Sequence, residues 1–190
     1  MRSFTNLQVR TQDANAVRAL AEELRTPGLA LYLVPDPPWY GLYDERLEAD
    51  EDVEGLWAAL ERASRLGRAA AFAVYEDEAL CWGLAEGGRI LYRYCEGVEG
   101  APPVADGRLP DDLDAAAVAA AQAGEPKTAA VRALAGMLGL VPDHAVVGFG
   151  DLLEMDEASE LPEDVWIFED DAGPELWLER PVLEDEHAGG

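Results

Sequence analysis

Residues 69–75, 79–85 and 89–95 form three apolar runs, separated by the acidic triplet Glu76-Asp77-Glu78 and by a short break containing Gly87-Gly88. Parallel neighbours in a sheet need a crossover of about a dozen residues or more. Breaks this short leave only antiparallel pairing, and paired glycines suit the left-handed angles of a tight hairpin turn. The chain must therefore contain an antiparallel meander, and the rest of the fold has to be built around it.

The opening Phe4-Thr5-Asn6-Leu7-Gln8-Val9-Arg10 alternates like a strand. Asp13 or Asn15 can cap a helix whose apolar stripe is Val17, Leu20, Ala21 and Leu24, closed by Pro27-Gly28. Residues 29–34 read as a strand broken by Pro35, Pro37 and Pro38, and residues 39–43 as a short aromatic strand. Asp50 opens a second helix with the stripe Val53, Leu56, Trp57 and Leu60. After the meander, residues 96–110 are rich in Gly and Pro and read as a loop. An alanine-rich helix over 113–123 follows, then one beginning near Pro126 and closed by Gly139, then a short helix over 146–155. The strands outnumber the crossovers of a parallel sheet. The class is α+β, a mixed or largely antiparallel sheet packed by amphipathic helices.

At 190 residues a single domain is expected, over residues 1–153, with an acidic C-terminal extension over 154–190. The extension holds 14 acids and the single base Arg180, about half the net charge of −25. Residues 165–179 can form a hairpin, and residues 184–190 read as a disordered end.

The charge limits the partners. The 39 acids face 14 basic residues, only one of them lysine, so general nucleic-acid binding and attraction to anionic membranes are disfavoured. No apolar run approaches the ~18 residues of a bilayer span, and the start lacks the apolar stretch of a signal peptide. The expectation is a soluble cytoplasmic protein. The two cysteines, Cys81 and Cys95, are too few for a disulfide framework or a four-ligand zinc site, so reduced thiols are expected. Their relation depends on register. A two-residue loop sets Trp82 opposite Arg93 and Cys81 opposite Tyr94, with the cysteines on opposite faces; a three-residue loop brings them to one face.

Chemistry is scarce. There is no phosphate-loop motif, no nucleophile elbow and no calcium loop. A catalytic serine would have to be Ser3, Ser64 or Ser159 working with His144 or His187, and a thiol nucleophile would be Cys81 or Cys95 with His144. No cofactor and no metal site is assigned.

Two clusters remain. In the extension, Trp166, Phe168 and Trp177 stand among Glu169, Asp170 and Asp171. Aromatics supply contact energy and carboxylates supply steering, so this set suits a basic protein partner. The second cluster is Trp39, Tyr43, Trp82 and Arg93, which can line a pocket for a small anionic ligand.

Residues 4–11, the segment Trp39 to Glu45 and the strand pair around Trp82, Gly87-Gly88 and Tyr94 resemble an uncharacterised family of bacterial cytoplasmic α/β proteins over residues 4–150. The third meander strand of those proteins tends to end in a polar, acidic stretch, where this chain has Tyr92-Arg93-Tyr94-Cys95. The resemblance implies the fold and brings no reaction with it. The functional expectation is a non-enzymatic, acidic interaction protein of the immunity or inhibitor kind; the alternative is an enzyme or binding domain for a small anion at the aromatic cluster.

Overall fold

The computed structural model describes residues 3–49, 52–97 and 104–169. The elements run β1 (Phe4–Arg10), α1 (Ala14–Leu24), β2 (Leu31–Asp36), β3 (Trp39–Asp44), α2 (Glu45–Ala49), α3 (Val53–Ala63), β4 (Ala69–Tyr75), β5 (Ala79–Glu86), β6 (Arg89–Glu96), β7 (Val104–Gly107), α4 (Ala115–Gln122), α5 (Lys127–Leu138), a 3-10 turn (His144–Val146), α6 (Phe149–Glu157) and β8 (Trp166–Phe168). The eight strands form one sheet in the order β7-β6-β5-β4-β1-β3-β2-β8. Every pairing is antiparallel. The fold is α+β.

Alternation along the strands sends side chains to two separate cores. On the first face, Leu7, Val9, Leu33, Leu42, Ala71 and Ala73 pack under α1 and α3. Asp13 caps α1 by accepting from Ala16 N at 3.0 Å, and Asp52, rather than Asp50, caps α3 by accepting from Gly55 N at 2.7 Å. The helical stripes seen in the sequence are the buried sides: Val17, Leu20 and Ala21 in α1, Leu56, Trp57 and Leu60 in α3. On the second face, Phe4, Phe72, Val74, Leu80, Trp82 and Leu84 pack against Val118, Val131 and Leu134 of α4 and α5. A smaller cluster of Tyr32, Tyr43, Phe149 and Leu152 lies beneath α6.

The meander follows the sequence reading with one addition. Glu86 pairs with Arg89 across the two-residue turn Gly87-Gly88, whose φ angles are 62° and 75°. Between Leu84 and Ala85 the register then shifts, because Leu91 is an extra residue on β6. Beyond that bulge Trp82 faces Tyr94, Gly83 faces Arg93 and Cys81 faces Cys95. The two cysteines form a disulfide with Cα atoms 4.1 Å apart, which corrects the expectation of reduced thiols. The turn is the two-residue one; the bulge, not a longer loop, puts both cysteines on the first face.

Several other expectations are revised. Residues 104–107 form the edge strand β7 inside the stretch read as loop, and α2 occupies the approach to the second helix. Pro35 lies within β2, opposite Tyr40. It is tolerated because β8 covers only Leu31–Leu33, so Pro35 needs no second ladder partner among the described residues. The boundary read at residue 153 falls inside α6, and β8 then completes the sheet against β2.

The only lysine is buried, at the first turn of α5. Lys127 Nζ pairs with Glu96 at the end of β6 and with Glu125 at 2.8 Å, while Tyr94 Oη donates to Glu96 at 2.5 Å. This cluster pins the α4–α5 layer to the sheet, alongside the 2.9 Å bond from Gln122 Nε2 to Tyr92 Oη.

Candidate acidic interaction surface

The chain from Phe149 to Glu169 carries eight acids and no base. Its fold groups them at one corner. The first turn of α6 is fixed by carboxylates: Gly148 N donates to Asp151 at 2.8 Å, and Phe149 N and Gly150 N donate to Glu48 at 2.7 and 2.9 Å. The positive end of this helix is therefore already matched. Further along, Asp156 accepts from Tyr32 Oη at 3.1 Å, which ties α6 across β2. Ser159, with φ of 60°, turns the chain back, and Glu160 N donates to Met155 O at 2.7 Å.

These turns leave Glu154, Glu157, Glu160, Glu163, Asp164 and Glu169 exposed. A cavity of about 370 Å³ opens among Asp151, Glu154, Met155 and Glu160. Two large apolar side chains stand out beside the carboxylates: Leu153 of α6, 39% exposed, and Ile167 of β8, 41% exposed. The electrostatic result is legible at Tyr32. Burial, the hydrogen bond to Asp156, and the charges of Asp156, Glu169 and Glu157 all push its phenol well above the ordinary tyrosine value.

Phe168 is 8% exposed and Trp166 is half-buried, both on the first-face core. The Arg18 guanidinium lies 4.4 Å from the Trp166 ring centroid. Phe168 is thus buried and Trp166 half-buried where β8 pairs with β2. Strand alternation is the reason, since pairing with β2 turns Trp166 and Phe168 inward and Ile167 outward. Glu169 is exposed. Trp177, Asp170 and Asp171 lie outside the described residues, as do the far arm of the hairpin read over 165–179 and the end at 184–190.

The second cluster is mostly buried. Trp39, Tyr43 and Trp82 are 3%, 1% and 1% exposed. Trp82 packs between Phe72 and Tyr92, with ring centroids 6.5 and 5.2 Å away. Tyr43 donates to His144 O at 2.9 Å and accepts from Gln8 Nε2 at 3.4 Å. Its ring fills the space over Gly41, where a Cβ would lie 2.6 Å from Tyr43 Oη. Arg93 points to the opposite face from Trp82 and Tyr94 and pairs with Asp106 at 3.1 Å. Three of these four residues thus lie in the core, and the fourth makes a strand-to-strand ion pair.

The hydrolase combinations do not assemble among the described residues. His144 Nδ1 lies 3.3 Å from Asp36, on the surface. Ser64 is buried at the end of α3, where its Oγ accepts from Gly88 N at 3.0 Å and so holds the meander turn. Ser3 Oγ accepts from Glu76 N at 2.8 Å, and both thiols are spent in the disulfide. No group of three His, Cys, Asp or Glu among the described residues is placed to hold a metal ion, and no helix among them is long and apolar enough to cross a membrane.

The chain matches no protein-family model, and neither the curated proteins nor the solved structures contain a match to it.

Proposed function

We propose that this protein is a non-enzymatic interaction module that engages a basic protein partner through the corner formed by α6, the turn after it and β8. The observation that carries this reading is the pairing of exposed Leu153 and Ile167 with a run of eight acids unrelieved by any base. Apolar contact supplies affinity, and the surrounding carboxylates supply orientation and a fast encounter with a cationic surface. The cavity by Glu154 and Glu160 suits the head of a partner lysine or arginine. An inhibitor of the immunity type, occupying a cationic cleft, is the version of this reading that uses both features.

The test separates the corner from the overall charge. The full-length protein is immobilised and exposed to native extract, beside a Glu154→Gln, Glu157→Gln, Glu160→Gln variant. A control carries Glu22→Gln, Glu23→Gln and Glu61→Gln, exposed on α1 and α3. A basic protein retained by wild type and control, released by salt and lost from the corner variant supports the reading. Equal retention by both variants refutes it, since binding would then follow net charge alone.

A further inference from the structure

The chain has two cysteines, and a single irregularity brings them together. A two-residue turn followed by a regular ladder would set Cys81 opposite Tyr94 and leave the thiols on opposite faces. The extra residue Leu91 moves Cys95 to the place opposite Cys81, where the two are bonded. The ladder itself already holds that pair together. β5 and β6 are matched from Glu86 and Arg89 at the turn to Leu80 and Glu96 at the far end. The bond is therefore not needed to define the register, and cleaving it leaves two thiols held side by side, poised to rejoin.

The position of the bond along the ladder gives it leverage. Cys81 and Cys95 are the last pair but one, and the ends of such elements open most easily. Cys95 is also the register partner of Val104, at the end of the short β6–β7 ladder. The next residue, Glu96, closes β6; it accepts from Tyr94 Oη at 2.5 Å and pairs with Lys127 at the start of α5. The disulfide thus clamps the strand end to which the α4–α5 layer is tied. Its two sulfurs belong to unequally placed residues. Cys81 is fully buried in the first-face core, whereas Cys95, packed against that core, is partly exposed. An incoming thiolate therefore meets Cys95 first.

We propose that Cys81–Cys95 is a reversible thiol switch, opened by a dithiol reductant, that sets how firmly α4 and α5 are held to the sheet. A thiolate of the reductant attacks Cys95 Sγ. The bond between the two protein sulfurs breaks, its electron pair goes to Cys81 Sγ, and that sulfur takes up a proton. The second thiolate of the reductant then attacks the reductant's own sulfur in the mixed disulfide and releases Cys95, which is protonated in turn. The protein gains two electrons and two protons, and the reductant leaves as its disulfide. In the opened state the end of the ladder at Leu80 and Glu96 frays more readily, and the anchor of Lys127 loosens with it. The acidic corner, on α6, β2 and β8, lies toward the opposite edge of the sheet, so the switch acts apart from it.

The experiment treats the oxidised, full-length protein with dithiothreitol, traps free thiols with iodoacetamide and locates them by mass spectrometry. Reduction is expected without urea, at a rate that stays flat as urea rises toward the unfolding transition, and oxidised glutathione should restore the bond. With reduced glutathione as a monothiol probe, the trapped adduct should sit on Cys95. On reduction, the amide resonances of Gly97, Ala129 and Ala130 should shift, while those of Leu7 in β1 and Leu152 in α6 stay in place. Amide exchange at Glu96, Ala129 and Ala130 should quicken about tenfold and remain insensitive to low urea, the mark of local opening. The Cys81→Ala, Cys95→Ala variant should show the quickened exchange with and without dithiothreitol; the wild-type readouts stand without it. Reduction only where urea unfolds the chain, an adduct on Cys81, or unchanged resonances and exchange at the start of α5 would each overturn the proposal.

Discussion

The lone lysine offers the sharpest test of how this fold is held. Lys127 keeps 7% of its side-chain surface exposed and Glu96 keeps 25%. Removing one member of a buried ion pair costs about 3–5 kcal/mol, because the other charge is left without compensation. In Lys127→Met, Glu96 retains some water and the bond from Tyr94, so the expected cost falls to about 2 kcal/mol. In Glu96→Gln, Lys127 still has Glu125, which is 65% exposed, so the cost is about 1–2 kcal/mol. The double variant leaves no buried orphan, and its cost should be less than the sum of the singles by about 1 kcal/mol. Acid sharpens the comparison. Burial alone would push Glu96 up, but the hydrogen bonds from Lys127 and Tyr94 and the lysine charge together hold its carboxyl below the ordinary glutamate range. Its stabilising contribution is therefore complete above that ordinary value and is lost as pH falls through the folded one. Wild type should lose more stability than Lys127→Met on going from about pH 7 to about pH 4. Urea unfolding followed by tryptophan fluorescence reads all four proteins. A Lys127→Met cost below about 0.5 kcal/mol, or strict additivity in the double variant, would refute the reasoning.

Other outcomes follow from the same coordinates. Replacing both Cys81 and Cys95 by Ala opens a cross-link of sequence separation 14 and should cost about 3 kcal/mol, seen as a lower urea midpoint than the oxidised wild type. Gly83→Ala places a Cβ 2.9 Å from Trp57 Cζ3 and 3.1 Å from Tyr92 O, so overpacking should cost about 1–3 kcal/mol in the same assay. Burial pushes the Tyr43 phenol up to about 12, against a smaller opposing hydrogen bond from Gln8. A neutral form favoured in the folded state means stability falls as pH rises from the ordinary tyrosine value toward the folded one, and ultraviolet titration should show Tyr43 ionising late. Asn6→Ala removes the donors to Ala145 O and Val147 O, each at 2.9 Å, and should loosen the turn before α6, read as faster amide exchange at Phe149 and Gly150.

Much of the architecture was legible because local signals and the global fold agree. The apolar stripes of α1 and α3, the glycine pair at the meander turn and the alternation of β1 each announce an element that the structure contains. The misses have separate causes. Residues 104–107 carry little apolar pattern, and β7 exists because β6 offers it an edge to pair with. The bulge at Leu91 has no local marker, yet it decides which side chains share a face and so whether Cys81 meets Cys95. The candidate surfaces were harder to read. Aromatic residues in a sequence look alike whether they line a pocket or fill a core, and Trp39, Tyr43 and Trp82 fill one.

The place of β1 has a consequence for how the chain is made. Among the described residues it is the first strand, and it is also an interior one, flanked by β3 and β4. During synthesis its first partner emerges only with residues 39–44 and its second only with residues 69–75. Until the second arrives, one edge of β1 lacks its partner, the exposed-edge hazard that invites pairing between nascent chains. Release of residue 75 from the ribosome therefore marks the point at which the sheet's interior becomes self-protecting, and variants that slow translation before it should raise aggregation without altering the finished protein.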